Sequence, residues 1–447
     1  MTSERKVMDV PFLVGFVSGP SEPATPLHFH SSTFMENFTT SANSFLAEHA
    51  KNDERRHAWA AFTEGGLPQT SDEVWRYAPL DTFALERFAV PEAPGVAGTS
   101  ALADALGARS AHVVRVVDGF LVSSGAAPAG VSITREDSGD SLCGGPLLEH
   151  YQRDSFSLLN CALSPATLVL RVDAGVHVGA PILIVYSATS GASFPRTQIV
   201  LERGAQATVI ELFEGGADGL VVPLEEYELA DNASLQLVNY QRLDVSAWHV
   251  ARTTGLLARD ARLVQGVVGL GAHYDRSRND AELRGANASN ELRTTFLGSG
   301  DQVHDFRTHQ FHVAPRTTST LLSKGAVADA SRSVYTGLIE IEKGAKRTDA
   351  RQTNHNLLLS PSAHADSVPN LDIRENDVMC AHASSVGPLD ELQRWYLESR
   401  GVSRADAERL LIQGFFYEML SALPTDLAAI VEADVTDTLS RVAVVAP

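Results

Sequence analysis

Between residues 204 and 289 one short phrase recurs at a nearly constant interval. A corner that carries glycine, aspartate or asparagine is followed by alanine and then by alternating polar and apolar residues. An imperfect period of this length is typical of a solenoid, in which each coil stacks on the previous one. Small residues at equivalent corners, where stacked coils come close, favour a β-solenoid over a β-sandwich. The alanines are 28, 28 and 27 residues apart, at Ala205, Ala233, Ala261 and Ala288.

The sequence around this repeat is typical of short strands. From about residue 111 onward, β-branched runs alternate with turn signals, as in 112–117 (HVVRVV), 167–172 (TLVLRV) and 181–186 (PILIVY). β-branched residues favour strands, and turn residues at similar spacing indicate many short strands rather than helices. We therefore predict a mainly β fold whose core is a β-solenoid.

Helical patterns lie towards the two ends of the chain. Residues 40–63 place apolar side chains three and four positions apart, as in an amphipathic helix. Trp75 is expected to anchor this N-terminal cap on the next layer. After residue 388 the helical spacing returns, with Ser403 as the N-cap of a second helix and a third helix at 426–439.

These patterns divide the chain into four parts. Residues 1–34 include a stretch rich in proline, serine and threonine and are expected to be a disordered extension. Residues 35–110 are predicted to form a mostly helical domain with a linker. Residues 111–385 form the predicted β-solenoid, and residues 386–447 form a C-terminal helical domain.

Composition limits the class of protein. A net charge of −19 and a pI near 5.2 argue against a nucleic-acid-binding surface, which is typically basic. No apolar run reaches the roughly eighteen residues that a membrane span needs. The three cysteines, Cys143, Cys161 and Cys380, are odd in number and unpatterned, which fits a reducing compartment. We predict a cytoplasmic protein with neither nucleic acid nor membrane as a partner.

The sequence carries no enzyme signature. It contains no GxxxxGK[ST] loop for a nucleotide and no GxSxG elbow for a nucleophile. His304, His309 and His312 are close in sequence, but on a strand His309 faces away from the other two, so we expect no metal site there. The acidic pairs at 225–226 and at 340 and 342 are expected on solvated strand faces rather than as buried acid–base pairs.

Two soft ligands stand one residue apart near the end of the predicted solenoid. If residues 377–382 are extended, Val378, Cys380 and His382 share one face. A thiolate and an imidazole can bind a transition metal or an iron–sulfur species. Closed structural metal sites have four ligands, however, so the pair is either structural or half of a shared, transient site.

The sequence around this pair is similar to a known family. The motifs TNHNLLLS (353–360), PNLDI (369–373), NDVMCAHASSVGPLDE (376–391) and YLESRG (396–401) resemble the signature of the SufB/SufD family of iron–sulfur cluster assembly proteins. A further match, GLPQTSDEVWRYAPL, lies near the N-terminus at 66–80. The resemblance is dense over roughly the last 120 residues. Two departures are the N-terminal extension and Ala-Ser after His382, where family members often have Gly-Ala.

The resemblance implies a fold and a set of partners. Members of the family have a right-handed parallel β-helix, and SufB and SufD pair through these β-helices, while the ABC-type ATPase SufC binds the C-terminal helical domain. ATP-driven dimerisation of SufC is expected to rearrange the SufB–SufD interface. His382 matches a SufD histidine that acts opposite a SufB cysteine, and Cys380 matches the neighbouring cysteine of the motif. The implied role is a non-catalytic scaffold that holds no tight cofactor, only transient iron or a cluster at the SufB interface.

The resemblance favours SufD over SufB, because no cysteine lies between Cys161 and Cys380. A SufB-type paralogue and, in a different class, a stand-alone β-helix enzyme acting on polysaccharide stay as alternatives. Exposed edges of the β-helix make a homodimer possible in the absence of SufB. The side chains predicted to dock the ATPase are Tyr396, Arg400, Phe415 and Phe416.

Overall fold

The computed structural model describes residues 37–49, 53–98, 100–136, 154–420 and 425–441. The predicted extension at 1–34 and Cys143 lie outside these residues. Short 3-10 turns cover Glu73–Trp75, Leu80–Thr82 and Leu85–Arg87. The helices are α1 (Asn37–His49), α2 (Asp53–Gly65), α3 (Ala101–Gly107), α4 (Ser155–Leu163), α5 (Glu391–Ser399), α6 (Arg404–Leu420) and α7 (Thr425–Arg441).

Strands occupy most of the chain between α3 and α5. The first nine are β1 (His112–Val117), β2 (Phe120–Ser124), β3 (Val131–Glu136), β4 (Thr167–Val172), β5 (Ile182–Ala188), β6 (Ala192–Ser193), β7 (Arg196–Leu201), β8 (Gln206–Gly215) and β9 (Leu220–Val221). The later ones are β10 (Leu224–Leu229), β11 (Ser234–Leu243), β12 (Trp248–Leu257), β13 (Arg262–Gly269), β14 (Tyr274–Leu283), β15 (Ser289–Gly298), β16 (Val303–His312), β17 (Thr318–Val327), β18 (Arg332–Ile341), β19 (Asp349–Leu358), β20 (His364–Ile373) and β21 (Met379–Gly387).

The strands form two long sheets that face each other. Sheet A has the spatial order β2-β1-β5-β8-β11-β13-β15-β17-β19-β21, and sheet B has the order β20-β18-β16-β14-β12-β10-β7-β4-β3. Neighbours are parallel except for β1 with β2 and β3 with β4. From β10 onward, consecutive strands alternate between the sheets, so each coil adds one strand to each. This is a parallel β-helix of about eight coils with helices at both ends, which confirms the predicted fold class.

The repeat length in the sequence equals the offset between residues that are paired in successive coils. Ser234 of β11 pairs with Gln206 of β8 on one side and with Arg262 of β13 on the other, each 28 residues away. Arg262 pairs in turn with Ser289 of β15, which is 27 residues further on. Each coil therefore places equivalent residues directly above one another.

The corners explain why asparagine, aspartate and alanine recur. Asn232, Asp260 and Asn287 have φ angles of 59°, 57° and 64°, in the left-handed region that asparagine and aspartate tolerate better than most residues. The alanine that follows each of them is buried against the next coil. A larger side chain at that alanine would have to displace the neighbouring corner.

The three largest apolar clusters of the described residues lie inside the first coils and on the outer faces of the two sheets. Residues such as Val209, Leu237 and Leu263 fill the inside of the first coils. The outer face of sheet A packs against the C-terminal helices, and the outer face of sheet B packs against the N-terminal domain. There Trp75 is buried with the guanidinium of Arg276 stacked 3.8 Å from its ring centroid, which confirms its role as an anchor.

The interior becomes polar towards the later coils. Hydroxyl and amide side chains hydrogen-bond to one another inside the β-helix, as between Thr294 and Ser323 of neighbouring coils, whose oxygens lie 2.7 Å apart. The amide of Asn290 donates to Gln310 Oε1 at 2.7 Å in the same way. Apolar burial therefore contributes less in these coils than in the first ones.

The structure corrects the prediction for the acidic pair at 225–226. Glu225 and Glu226 are both buried, not solvated. Glu225 faces into the β-helix beside Tyr227, because residues two apart on a strand share a face. The prediction failed because the sequence of a strand with a polar inner face looks the same as that of a strand with a solvated face. The sequence alone therefore does not show which face is buried.

Candidate functional site

Cys380 and His382 lie on β21, the last strand of sheet A. Cys380 pairs with Ala350 of β19 and His382 with Gln352, and both partners are buried on the inner face. Aligned residues in a parallel sheet point to the same side, so the thiol and the imidazole both face the inside of the β-helix. The structure thus places them on one face, as their spacing predicts.

Among the described residues, no further coil stacks on β20 and β21. Within the described residues, β21 pairs only with β19, and β20 pairs only with β18. Side chains that would be interior in any earlier coil are therefore reachable by solvent here. We call this surface the open end, and its residues are Leu371, Ile373, Cys380, His382, Ser384 and Val386.

Cys380 sits at the apolar side of the open end. It is half-buried against a small cluster that includes Ile339 and Ile341. Burial raises the pKa of the Cys380 thiol, and the carboxylate of Asp349 raises it further, while the backbone N–H of Ala350 opposes both. The sulfur is therefore held as a thiol until a metal ion or a cationic group favours the thiolate.

The pair does not form a complete metal site by itself. In the part of the chain that the structure describes, no group of three or more histidine, cysteine, aspartate or glutamate residues gathers to hold a metal ion. A soft metal or a cluster usually has four protein ligands. Any such species bound at the open end therefore needs donors from another molecule.

The C-terminal helices present a second exposed surface. On α5, Leu392, Trp395 and Tyr396 are 78%, 67% and 54% exposed, and the guanidinium of Arg400 lies 5.2 Å from the Tyr396 ring centroid. Large exposed apolar side chains that cluster on one helix mark an interaction surface. We call Leu392, Trp395, Tyr396 and Arg400 the α5 patch.

The two phenylalanines predicted for docking are placed differently. Phe415 is half-buried on α6, and the ammonium of Lys324 lies 4.9 Å from its ring centroid. Phe416 is 1% exposed in the core beneath α6, so in the free chain its side chain is not on the surface where docking was predicted. Trp395 was not named as a docking candidate, because helical spacing alone does not show that no residue of α5 is buried.

Comparison with known proteins decides the family. Residues 184–415, just over half of the chain, match the family described as "SUF system FeS cluster assembly, SufBD core domain". The iron–sulfur cluster assembly protein SufD of Escherichia coli is 30% identical over 369 residues, which cover 80% of this chain and 86% of that protein. The chain belongs to the SufB/SufD family.

Other members of the family agree with this assignment. SufD of Bacillus subtilis is 31% identical over 275 residues, 60% of this chain and 63% of that protein. A SufBD family protein of Mycobacterium tuberculosis is 31% identical over 290 residues, 63% of this chain and 71% of that protein. Two of these relatives are SufD proteins, which confirms the SufD type, so the chain is an iron–sulfur cluster assembly protein of the SUF system.

The family match includes the open end, α5 and most of α6, since it runs from β5 to Phe415. It does not reach α7. Among the helices that the structure describes, none is both long and apolar enough to cross a membrane.

The histidines at 304, 309 and 312 do not form a site in this SufD-type chain. His304 shares the carboxylate of Asp275 with His249, inside the β-helix. His309 bonds to Glu340 on the opposite face, 2.9 Å away, and His312 bonds to hydroxyl groups. Burial lowers the pKa of His312 to about 4, so this ring is neutral and structural.

A buried pair of carboxyl groups was missed at the level of sequence. Glu211 and Glu225 lie on adjacent coils, and the hydroxyl of Tyr227 reaches both, at 3.2 and 2.8 Å. Asn239 Nδ2 also donates to both, at 2.7 and 3.1 Å. Burial, followed by repulsion from Glu225, raises the pKa of Glu211 well above its ordinary value, so the pair retains a proton where exposed carboxyls are ionised. The pair is enclosed and cannot reach a polysaccharide substrate.

Proposed function

We propose that this chain is a SufD-like scaffold subunit of a cytoplasmic SUF complex. It pairs with a SufB-like paralogue through the open end and binds a SufC-like ATPase through the α5 patch. The observation that carries the proposal is the position of Cys380 and His382, on the inner face of a strand whose other edge is unpaired among the described residues.

The chemistry of the pair suits a shared site for iron. A neutral imidazole offers a ring nitrogen to ferrous iron without first losing a proton, whereas a thiol must lose one. Burial raises the pKa of the Cys380 thiol, so its sulfur becomes a ligand only once a metal ion or a cationic group favours the thiolate. Iron or a nascent cluster is then cargo, completed by cysteine ligands of the SufB-like partner, and this chain retains no tight cofactor of its own.

The open end also supports pairing. An edge strand offers unpaired N–H and C=O groups to another chain, and β20 and β21 together present two such edges. Exposed Leu371, Ile373 and Val386 add apolar area that pairing would bury. The same surface permits a homodimer when the SufB-like partner is absent.

The C-terminal helices connect the ATPase surface to the β-helix. Next to α5, helix α6 lies against sheet A, where Lys324 Nζ of β17 donates to Glu418 Oε2 at 2.7 Å and to the carbonyl of Phe415 at 3.1 Å. Movement of the α5 patch on nucleotide binding by a SufC-like partner would reach β17, two strands from β21. Hydrolysis of ATP would take place in that partner, and this chain would act as a non-catalytic scaffold.

Replacement of His382 by alanine tests the proposal. In a reconstituted complex with the SufB-like and SufC-like partners, His382→Ala should lower the rate of cluster assembly at least tenfold, because an iron donor is lost. The circular dichroism spectrum should not change, since His382 is exposed in the free chain, and complex formation should persist because the unpaired strand edges and the apolar side chains of the open end remain. His364→Ala, on the outer face of β20, is the matched control. Assembly by His382→Ala at the wild-type rate would refute the site.

A further inference from the structure

Gln352 is the residue of β19 that is paired with His382 of β21, one coil further from the open end. The two residues are aligned in neighbouring strands, and both side chains face the interior. Gln352 is 1% exposed, and its carboxamide reaches across to β18, where Gly337 leaves room for it. A Cβ atom at Gly337 would stand 2.5 Å from Gln352 Oε1 and closer still to Nε2 and to the hydroxyl of Tyr335.

The carboxamide of Gln352 is buried without being used. Neither Oε1 nor Nε2 has a hydrogen-bond partner among the described residues, and the hydroxyl of Tyr335 bonds instead to Thr308 Oγ1, 3.2 Å away. Leaving a buried donor or acceptor unsatisfied costs about 1–3 kcal/mol. A buried polar group without a hydrogen-bond partner in a native protein needs an explanation, such as a partner that it binds only in the functional state.

The polar neighbours of Gln352 on the inner face are already engaged. Ser384 Oγ donates to Ser367 Oγ at 2.8 Å, and Asn354 Nδ2 donates to the same oxygen at 3.0 Å. Asn354 retains an unpartnered Oδ1, but it is aligned with Ser384 rather than with His382. Among the inner-face amides of β19, Gln352 is therefore the one that is aligned with His382 and has neither polar atom hydrogen-bonded.

A histidine that binds a metal through one ring nitrogen usually donates the N–H of its other nitrogen to an oxygen acceptor. This bond sets the tautomer and the orientation of the ring and makes the ligating nitrogen more basic. We propose that Gln352 is the positioning residue of His382, with Oε1 accepting the inward ring N–H when the outward nitrogen binds iron. The inference rests on the proposed function of His382 and adds a residue that acts through it.

This role predicts opposite effects of one substitution on stability and on function. Gln352→Met keeps length and shape but removes both polar atoms, so the thermal midpoint of the free chain should stay the same or rise. In the reconstituted complex, the iron concentration that gives the half-maximal assembly rate should rise about tenfold, the lower end of the range for lost partners of metal-binding histidines. A structural amide would instead show a lower midpoint and an unchanged iron dependence.

Two further variants complete the test. Gln352→Glu retains an acceptor and should keep the half-maximal iron concentration within about threefold of wild type. Asn354→Leu removes the neighbouring amide and should also leave it within about threefold. If Gln352→Met shows wild-type iron dependence, or if Gln352→Glu is impaired as strongly as Gln352→Met, the inference is wrong.

The outcome separates this inference from the proposed function. If His382→Ala abolishes assembly while Gln352→Met does not alter its iron dependence, His382 acts without Gln352 and only the inference fails. If His382→Ala assembles clusters normally, the proposed site fails, and any defect of Gln352→Met has another cause.

Discussion

The two ends of the β-helix differ in how their last strands are finished. At the first end, antiparallel strands β2 and β3 pair with β1 and β4, and Val114, Leu170 and Ile184 are fully buried inside. At the last end, β20 and β21 present an unpaired edge within the described chain, and inward-facing Leu371 and Ile373 are 36% and 41% exposed. Proteins usually protect such edges against association. Among the described residues β2 and β3 are also paired on one side only, so what distinguishes the last end is that its edge strands carry a thiol, an imidazole and half-exposed apolar side chains.

The interiors of the two ends also differ in polarity. Aliphatic side chains fill the first coils, whereas amides and hydroxyls fill the coils that lead to His382. Buried amides such as Gln352 add little stability when they lack partners. The difference teaches that apolar burial stabilises the first coils more than the last ones, where amides without partners lie next to the open end.

The largest expected effect compares one leucine from each end. Leu237→Ala removes a fully buried side chain from the apolar cluster and should lower the free energy of unfolding by about 2–5 kcal/mol. Leu371→Ala at the open end should change it by no more than about 0.5 kcal/mol. Urea unfolding of both variants, at a concentration where the chain is monomeric, measures this. Equal losses would show that the open end is covered by the chain itself.

The buried carboxyl pair predicts a pH dependence. Because burial raises the pKa of Glu211 above its ordinary 4.5, the folded chain binds a proton that the unfolded chain releases. Stability should therefore fall as the pH rises above about 4.5, by up to about 1.4 kcal/mol per pH unit for one proton. Glu211→Gln does not titrate and should lose most of this slope above pH 4.5 in thermal unfolding. Parallel profiles for wild type and variant would contradict the shared proton.

A smaller effect concerns the contact between α6 and sheet A. Lys324→Met removes the ammonium group that bonds to Glu418 and Phe415, and we expect a loss of no more than about 1 kcal/mol, because Glu418 is largely exposed to solvent. Amide hydrogen exchange in α6 should become up to about fivefold faster, with β5 to β13 unchanged. Lys343→Met, at an exposed corner, is the control. Uniformly faster exchange in both regions would contradict a local contact.

The architecture could be predicted because its causes are local. The 28-residue period and the small residues at equivalent corners act between adjacent coils, and the structure confirms both, while the left-handed conformation of Asn232, Asp260 and Asn287 explains the choice of corner residue. Cys380 and His382 share a face because strand geometry has a period of two. These features need no knowledge of distant contacts.

The features that were not predicted depend on which face of a helix or strand is covered by other parts of the molecule. Glu225 was expected in solvent, yet it is buried, because the polar interior accepts it beside Glu211 and Tyr227. Phe416 was expected at a surface, but α6 turns it into the core, while Trp395 on α5 stays exposed. Which side of a helix or strand is covered is a property of the tertiary structure, and local spacing does not contain it.

The central claim is that the open end is where this chain pairs. Light scattering after size exclusion, on this chain mixed with a SufB-like paralogue, tests it most directly. Wild type and Trp395→Ala should each form a one-to-one complex, whereas Ile373→Asp, which places a charge on the open end, should leave the two chains separate. A one-to-one complex of Ile373→Asp with wild-type affinity would contradict the claim.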